Sequence, residues 1–385
     1  MPRYVALGKL PPKRHIQFRK PDGGLYAEEV FGTKGFVGIQ SILYHINPPT
    51  RVSGWQAKGC VQPHFVDHEP IRHRHLTTAK MKPCGDPISG RVALFGNSDV
   101  VWQMCLPAEQ MEHFFKNADG DELIFIHEGS GALESQFGTV PYKPGDYLMV
   151  PRGTVYKLNM DETPQRMIVI LAFSHIETPR RYRNEYGQFL EHSPFCERDM
   201  RPPSELKTHD EKGEYKVLVR ARGELTEYTY DYHPLDVAGW DGFVYPWAFS
   251  INDFSPITGK VHMPPPIHQN FQANNFVVCS FCPRALDYHP EAIPVPYSHS
   301  NVDSDEVLYY VNRRFGSRKG IEEGSITLHP SGIPHGPQPG VTEASLGATK
   351  TEELAVMLDT FRPLKLTREA LEIEDESYWK SWKGD

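Results

Sequence analysis

The chain contains the sequence Pro296-Tyr-Ser-His-Ser-Asn-Val-Asp-Ser-Asp-Glu-Val-Leu-Tyr-Tyr-Val311, followed downstream by Gly324-Ser-Ile-Thr-Leu-His-Pro-Ser-Gly-Ile-Pro-His-Gly336. The first segment places a histidine and carboxylates just before an apolar run that predicts a β-strand. The second places a histidine after another strand pattern and a Pro/Gly turn. Two imidazoles and one carboxylate are the protein part of the facial triad that binds non-heme Fe(II) and leaves positions open for substrate and oxygen.

Three residues of these segments are the candidate metal ligands: His299, Glu306 and His335. Asp305 is a rival carboxylate, but neighbouring residues of a strand point to opposite faces, so only one of the pair readily joins the site. Glu306 has the longer reach. His329 lies six residues before His335 and is a candidate for a hydrogen bond to a ligand or to the substrate.

A general base for a phenolic substrate should titrate near neutral pH, as histidine does without special arrangement. His268 follows three consecutive prolines, which restrict the loop that carries it, and it is the best candidate for this role. His289 is a weaker rival. The alternative for His268 is a structural histidine that caps a turn.

Composition excludes several classes of partner. The chain has 385 residues, 39% hydrophobic residues and a formal net charge of -8, which gives no basic surplus for nucleic acid or anionic lipid. Six scattered cysteines do not form a disulfide framework, and Cys279 and Cys282 lie in an apolar run that predicts buried packing. Without an apolar run of membrane-spanning length or a signal peptide, we expect a cytoplasmic protein that binds neither membranes nor nucleic acid.

Short strand patterns joined by turns predict an all-β fold with two domains. We predict an N-terminal domain over 1–235, with seven strands between about 99 and 173 and a linker over 174–235. Further strand patterns predict a C-terminal domain over 236–385, and Thr367 is a plausible N-cap of a closing helix. Short peripheral helices complete the expectation.

The two β regions form a weak internal repeat. His113 and Glu122 correspond to His299 and Glu306, and each region continues with a glycine turn, a strand and a proline. This pattern resembles the signature of the cupin jelly roll, which implies two cupin-like barrels or sandwiches in one chain. Tyr156 stands where the final histidine of the first copy belongs, and a phenol is a poor Fe(II) ligand at neutral pH. We therefore expect a metal in the second copy only.

Beyond the cupin pattern, most of the chain resembles the homogentisate 1,2-dioxygenase family, especially its shorter bacterial members. The resemblance is strongest from about 264 to 340 and extends to Gly35–Ile46 and Asp375–Trp382. It implies an iron enzyme with two β domains that assembles into trimers or hexamers. The reaction it implies opens the ring of homogentisate with O2 to give maleylacetoacetate, in the catabolism of tyrosine and phenylalanine.

Transferred residue by residue, the resemblance gives His299, Glu306 and His335 as iron ligands and His329 as a histidine lining the site. The base of the family has no unambiguous match, so the assignment of His268 is our own inference. Phe315 stands where the family has a tyrosine, which leaves open the ring cleavage of another hydroquinone or gentisate-like acid. The alternatives from other classes are a bicupin that binds without catalysis and one that isomerises a sugar phosphate with Zn2+.

Overall fold

A computed structural model describes residues 3–259, 267–314 and 320–383, in which β-strands form nearly all of the regular structure. Fourteen strands precede residue 174: β1 Val5–Gly8, β2 Ala27–Gly32, β3 Gln40–His45, β4 Gly54–Cys60, β5 Arg74–Thr77, β6 Arg91–Gly96, β7 Val100–Cys105, β8 Phe114–Asn117, β9 Asp121–Glu128, β10 Gly131–Ser135, β11 Gly138–Tyr142, β12 Asp146–Val150, β13 Val155–Met160 and β14 Arg166–Ala172. The all-β prediction is confirmed.

Twelve strands follow in the described part of the chain: β15 Lys212–Ala221, β16 Glu224–Tyr232, β17 Val237–Gly242, β18 Trp247–Ser250, β19 Gln269–Ala273, β20 Phe276–Phe281, β21 Arg284–Ala285, β22 Asp305–Tyr310, β23 Ser325–His329, β24 Lys350–Thr351, β25 Ala355–Thr360 and β26 Lys365–Leu366. The helices are short. They are α1 Val341–Ser345, α2 Arg368–Glu372 and the 3-10 turns Lys34–Phe36, Thr78–Lys80, Arg180–Tyr182, Glu197–Asp199, Ile251–Asp253 and Tyr378–Trp382. Among the described residues, no helix has the length and apolarity needed to cross a bilayer.

Two seven-stranded sheets form the sandwich of the first β region, in the orders β11-β10-β13-β8-β15-β16-β4 and β18-β12-β9-β14-β7-β6-β26. Their inner faces share one core, in which Leu133 and Leu158 of the first sheet pack with Ile124 and Val169 of the second. Successive side chains of the second sheet alternate between this core and another core, which contains Phe125 and Ile168. All seven strands that we predict between 99 and 173 are present, with ends that differ by at most two residues.

The C-terminal sheet has the order β19-β20-β25-β22-β23-β5. Two further sequence patterns differ from the structure. The apolar residues 243–245 predict a strand, but they join β17 to β18. The alternation over 36–44 predicts an edge strand, but β3 lies between β17 and β2 in a four-stranded sheet. Local alternation indicates that a segment is extended, but it does not indicate which neighbour pairs with it.

The structure differs from the linker prediction in the second half of 174–235. There β15 and β16 form a long antiparallel hairpin whose two-residue turn is Arg222-Gly223. Both turn residues have positive φ, 55° and 74°, which suits the right-handed twist of a hairpin. The glycine after Arg222 is the local sequence signal for this turn. The charged residues around it obscure the strand-like alternation of β15 and β16.

Strand pairing crosses the predicted boundary at 235 in both directions. β5, from the N-terminal half, forms the edge of the C-terminal sheet beside β23, whereas β26, near the C-terminus, pairs with β6. The strands β17 and β18 also join N-terminal sheets. The two halves are therefore connected by hydrogen-bonded strands as well as by the chain.

Candidate metal centre

The three candidate ligands meet at one end of the C-terminal sheet. Glu306 lies at the start of β22, and His335 follows β23 after a turn in which Gly332 has φ of 75°. His299 and His335 exchange both backbone hydrogen bonds, N to O at 2.8 and 2.9 Å, so the two histidine segments are paired directly. A Cβ on Gly336 would lie 2.6 Å from the Cα of Ser298, so only glycine permits this close approach.

Backbone carbonyls orient both imidazoles. Nδ1 of His299 is 3.0 Å from the carbonyl oxygen of Tyr297, and Nδ1 of His335 is 3.2 Å from that of Ile333. Since a carbonyl only accepts, each Nδ1 carries the proton and each Nε2 carries a lone pair. This is the tautomer that a metal ligand requires when Nε2 coordinates.

The Nε2 atoms converge on the carboxylate of Glu306. His335 Nε2 is 3.5 Å from Oε1 and His299 Nε2 is 4.0 Å from Oε2. One ligand atom from each of the three residues lies within 4.8 Å of the other two. His335 Nε2 is buried and has no hydrogen-bond partner among the described residues. Two neutral imidazoles and one carboxylate, grouped in this way, fit a divalent first-row metal ion such as Fe(II).

His329 lies directly opposite Glu306 in the β22–β23 pair, and its Nδ1 is 2.7 Å from Glu306 Oε1. Its ring stacks on that of His335, with centroids 4.4 Å apart. Burial alone would raise the pKa of Glu306, but His299, His329 and His335 around the carboxyl lower that pKa well below its usual value. The carboxylate is therefore anionic, as a ligand must be.

The neighbouring carboxylates differ from Glu306. Asp305, the rival ligand, accepts hydrogen bonds from the backbone N–H groups of Ser331 and Leu364 at 2.8 and 2.7 Å, one on each oxygen. It anchors two loops and is not grouped with the histidines. Asp359 lies across from Glu306 on β25, and burial together with the Glu306 charge raises its pKa well above the ordinary value.

The two candidate bases have different surroundings. His268 is fully buried immediately before β19, and its ring stacks on Phe281 at 4.2 Å. In the sheet order, β19 is separated from β22 by β20 and β25. His289 is exposed, and its Nδ1 accepts the N–H of Glu291. Phe315 lies outside the described residues.

The equivalent place in the first sandwich holds a guanidinium. Glu122 accepts hydrogen bonds from Arg91, from Asn117 Nδ2 at 2.9 Å and from the Tyr156 hydroxyl at 2.6 Å. Arg91 also donates to the Tyr156 oxygen at 3.0 Å. His113, which corresponds to His299 in the repeat, has its Nδ1 3.7 Å from Oδ2 of Asp86. Because the arginine neutralises Glu122, this carboxylate is engaged without a metal ion.

A second group of possible ligands consists of His127, Glu128 and Glu323. Nδ1 of His127 is hydrogen-bonded to the hydroxyl of Tyr309, and Arg166 Nε lies 3.5 Å from Glu128. The two glutamates are about half exposed, at 51% and 46%. The guanidinium of Arg166 already supplies positive charge beside Glu128. The geometry therefore favours the buried group around Glu306 as the metal site.

Sequence reasoning missed three residues of the centre: His73, Asp359 and Trp382. The ring of His73 lies 5.4 Å from His329 and 4.9 Å from Trp382, centroid to centroid. His73 immediately precedes β5, and nothing in its local pattern indicates that this strand joins the C-terminal sheet. For Asp359 there was a signal, because a carboxylate ends an otherwise apolar strand.

Comparison with solved structures gives distant matches. A mutant of Bacillus subtilis oxalate decarboxylase is 11% identical with a TM-score of 0.36, covering 82% of this chain and 84% of that one. A cupin 2 conserved barrel domain protein from Leptotrichia buccalis is 8% identical with a TM-score of 0.33, covering 74% of this chain and 94% of that one.

Sequence comparison gives nearer relatives. The chain is 42% identical over 385 residues to a Saccharolobus solfataricus protein whose name assigns it provisionally to the dioxygenases, and the match covers 98% of each chain. It is 26% identical to the homogentisate 1,2-dioxygenase of Sinorhizobium fredii, over 98% of this chain and 90% of that enzyme. The family model described as homogentisate 1,2-dioxygenase N-terminal matches residues 6–251, which is more than half of the chain. By this match and the 42% identity, the chain belongs to the homogentisate 1,2-dioxygenase family.

Proposed function

We propose that this protein is an Fe(II)-dependent dioxygenase that opens the aromatic ring of homogentisate to give maleylacetoacetate. The observation that supports it most is the convergence of two Nε2 lone pairs, from His299 and His335, on the buried carboxylate of Glu306. Membership of the homogentisate 1,2-dioxygenase family supports the same reaction class. Both atoms of O2 enter the product, so the reaction needs no added reductant.

Ferrous iron, when bound by these three residues, supplies open coordination positions at which an aromatic substrate and dioxygen meet and exchange electrons. The chain's own contribution is to hold the ligands and to handle protons. The carbonyls of Tyr297 and Ile333 fix the tautomers of the two histidines. His329 restrains Glu306 through its Nδ1–H, which limits rotation of the carboxylate.

Proton transfer is assigned to His268. A phenol ring becomes electron-rich when its hydroxyl loses a proton, and an imidazole is suited to accept that proton near neutral pH. His268 is completely buried in this structure, so the assignment requires its ring to become accessible when the substrate binds. Substitution His268→Phe, with iron content measured in parallel, is expected to lower the turnover rate roughly 100-fold or more while iron remains bound.

The substrate assignment is tested by oxygen uptake. The protein, loaded with iron under anaerobic conditions, is mixed with homogentisate, gentisate or hydroquinone in an oxygen electrode, and we expect the fastest uptake with homogentisate. Faster uptake with gentisate or hydroquinone would identify that compound as the substrate in place of homogentisate. This alternative is specific because position 315 is a phenylalanine where the family has a tyrosine.

Metal analysis of variants tests the ligands. His335→Ala should lose both iron and oxygen uptake, whereas His68→Ala, a change at an exposed histidine, should retain both. Zinc in the purified protein without oxygen uptake would favour an isomerase or a binding protein. Iron content and uptake that survive in His335→Ala would contradict the proposed site.

Assembly and location are further parts of the proposal. The family resemblance implies a homotrimer or hexamer built from chains of 43.9 kDa, and the scattered cysteines favour a cytoplasmic location. Large apolar side chains that are exposed in the single chain, such as Trp55 at 73% and Val37 at 88%, are consistent with burial in an assembly. Light scattering after size-exclusion chromatography gives the mass, and a monomer would contradict this part.

A further inference from the structure

The turn that carries His335 is held from both sides by residues remote in sequence. Nε2 of His73 donates to the carbonyl oxygen of Pro334 at 3.1 Å, and Nε1 of Trp382 donates to the carbonyl oxygen of Gly336 at 3.1 Å. These two carbonyls belong to the residues immediately before and after His335. The peptide unit that enters His335 and the one that follows Gly336 are therefore both restrained.

One donor lies in the N-terminal half of the chain and the other lies near the C-terminus. His73 directly precedes β5, and Trp382 ends the 3-10 turn Tyr378–Trp382. Their rings pack on each other with centroids 4.9 Å apart, and the His73 ring lies 5.9 Å from that of His335. A third hydrogen bond joins the segment after His335 to the C-terminal 3-10 turn: Gln338 Nε2 donates to Ser381 Oγ at 2.7 Å.

Among the described residues, one side-chain hydrogen bond restrains the His335 ring locally. Its Nδ1 lies 3.2 Å from the carbonyl oxygen of Ile333. His329 packs on the ring face but donates to Glu306 instead. The direction of His335 Nε2 thus depends on the backbone. This backbone is held by its two hydrogen bonds to His299 and, on the adjacent carbonyls, by His73 and Trp382.

We propose that His73 and Trp382 are positioning residues for the metal centre: by holding the two carbonyls that flank His335, they aim its Nε2 at the position shared with Glu306 and His299. The inference rests on the proposed function, because it needs a metal at these three residues. Outer partners of metal ligands typically account for roughly 10- to 100-fold in metal affinity or activity. We expect effects in this range although both donors bind the backbone and not the imidazole.

The test measures Co(II) binding to the full-length protein, with the dissociation constant obtained by competition with a chelator and the visible spectrum recorded. Trp382→Phe removes the N–H donor and retains an aromatic ring. Trp379→Phe is the matched control, since this tryptophan lies three residues earlier in the same turn and is 45% exposed. His73→Leu removes the other donor, and His73→Gln restores an N–H that can reach a carbonyl.

We expect Trp382→Phe and His73→Leu each to weaken Co(II) binding by roughly 10-fold and to shift the Co(II) absorption bands. Trp379→Phe should match the wild type, and His73→Gln should recover most of the affinity. The melting temperature of the metal-free protein shows whether a variant has a folding defect. If His73→Leu has a lower melting temperature than the wild type, the Co(II) affinity of Trp382→Phe decides the test.

Two outcomes distinguish the inference from the proposed function. If the wild type binds Co(II), His335→Ala does not, and both Trp382→Phe and His73→Leu keep the wild-type affinity and spectrum, the positioning roles are refuted while the metal site stands. A wild-type protein that binds no Co(II) overturns the metal site and the inference with it.

Discussion

A single residue can contribute to this centre by donating a hydrogen bond to a metal ligand, and His329 does so. Its Nδ1–H donates to Glu306 at 2.7 Å from a fully buried position. Replacement by leucine should weaken metal binding roughly 10- to 100-fold, because the carboxylate loses the donor that fixes its orientation. Glutamine at this position keeps an N–H and should retain more of the affinity. Equal affinities of His329→Leu and the wild type would remove this role.

A second residue prediction concerns pH and lies outside the metal centre. His45 is buried, with Nδ1 2.8 Å from Asp236 and Nε2 3.0 Å from Glu29. Burial alone would lower the pKa of His45, but these two carboxylates raise it from 6.5 to about 9. Because the folded pKa is the higher one, the stabilisation is complete below pH 6.5 and is lost as pH rises through 9.

The magnitude follows from the difference between the two pKa values. We expect the free energy of unfolding to fall by roughly 3 kcal/mol between about pH 6.5 and pH 9.5 through His45. Urea denaturation at both pH values measures this fall. Other groups also titrate in this range, so the wild type is compared with His45→Gln. A fall of the same size in that variant would show that His45 is not the group responsible.

At the scale of elements, the strands were more predictable from the sequence than their partners. Short continuous apolar runs within Glu122–His127 and Met167–Ala172 indicate strands that are buried on both faces. The sequence also named His299, Glu306 and His335 together as candidate ligands, but it did not indicate that the two histidine segments pair with each other. The position of β5 was not anticipated either, because a four-residue strand that joins a sheet some 250 residues later leaves no local signal.

The C-terminal helix is an element whose start the sequence predicted. The Thr367 hydroxyl accepts the N–H of Ala370 at 3.2 Å, which caps α2, and it donates to the carbonyl oxygen of Ala93 at 2.7 Å. Thr367→Val keeps the shape and removes both bonds, so the free energy of unfolding should fall by about 1 to 2 kcal/mol. Thr367→Ser keeps the hydroxyl and should lose much less. Chemical denaturation of the two variants would refute the cap if they were equally stable.

The whole molecule is joined where β5 meets the C-terminal tail. Arg74, on β5, donates to both carboxylate oxygens of Glu374 at 3.0 and 2.8 Å, and each side chain is only 2% exposed. Arg72 also pairs with this glutamate at 3.0 Å. The same tail continues to Trp382, which holds the His335 turn. The ion pair between β5 and the tail is thus connected, through the tail, to the candidate metal centre in the C-terminal sheet.

This connection predicts that the halves of the chain lose their structure together. Arg74→Met should lower the free energy of unfolding by roughly 3 kcal/mol, because Glu374 keeps its buried charge while Arg72 compensates only in part. The double variant Arg74→Met/Glu374→Met removes both charges and should recover much of that loss. Denaturation is followed by tryptophan fluorescence and by release of bound Co(II), and both transitions should shift to lower denaturant together in Arg74→Met. If Co(II) release kept its wild-type midpoint while the fluorescence transition moved, the metal centre would be independent of the strand that crosses from the N-terminal half.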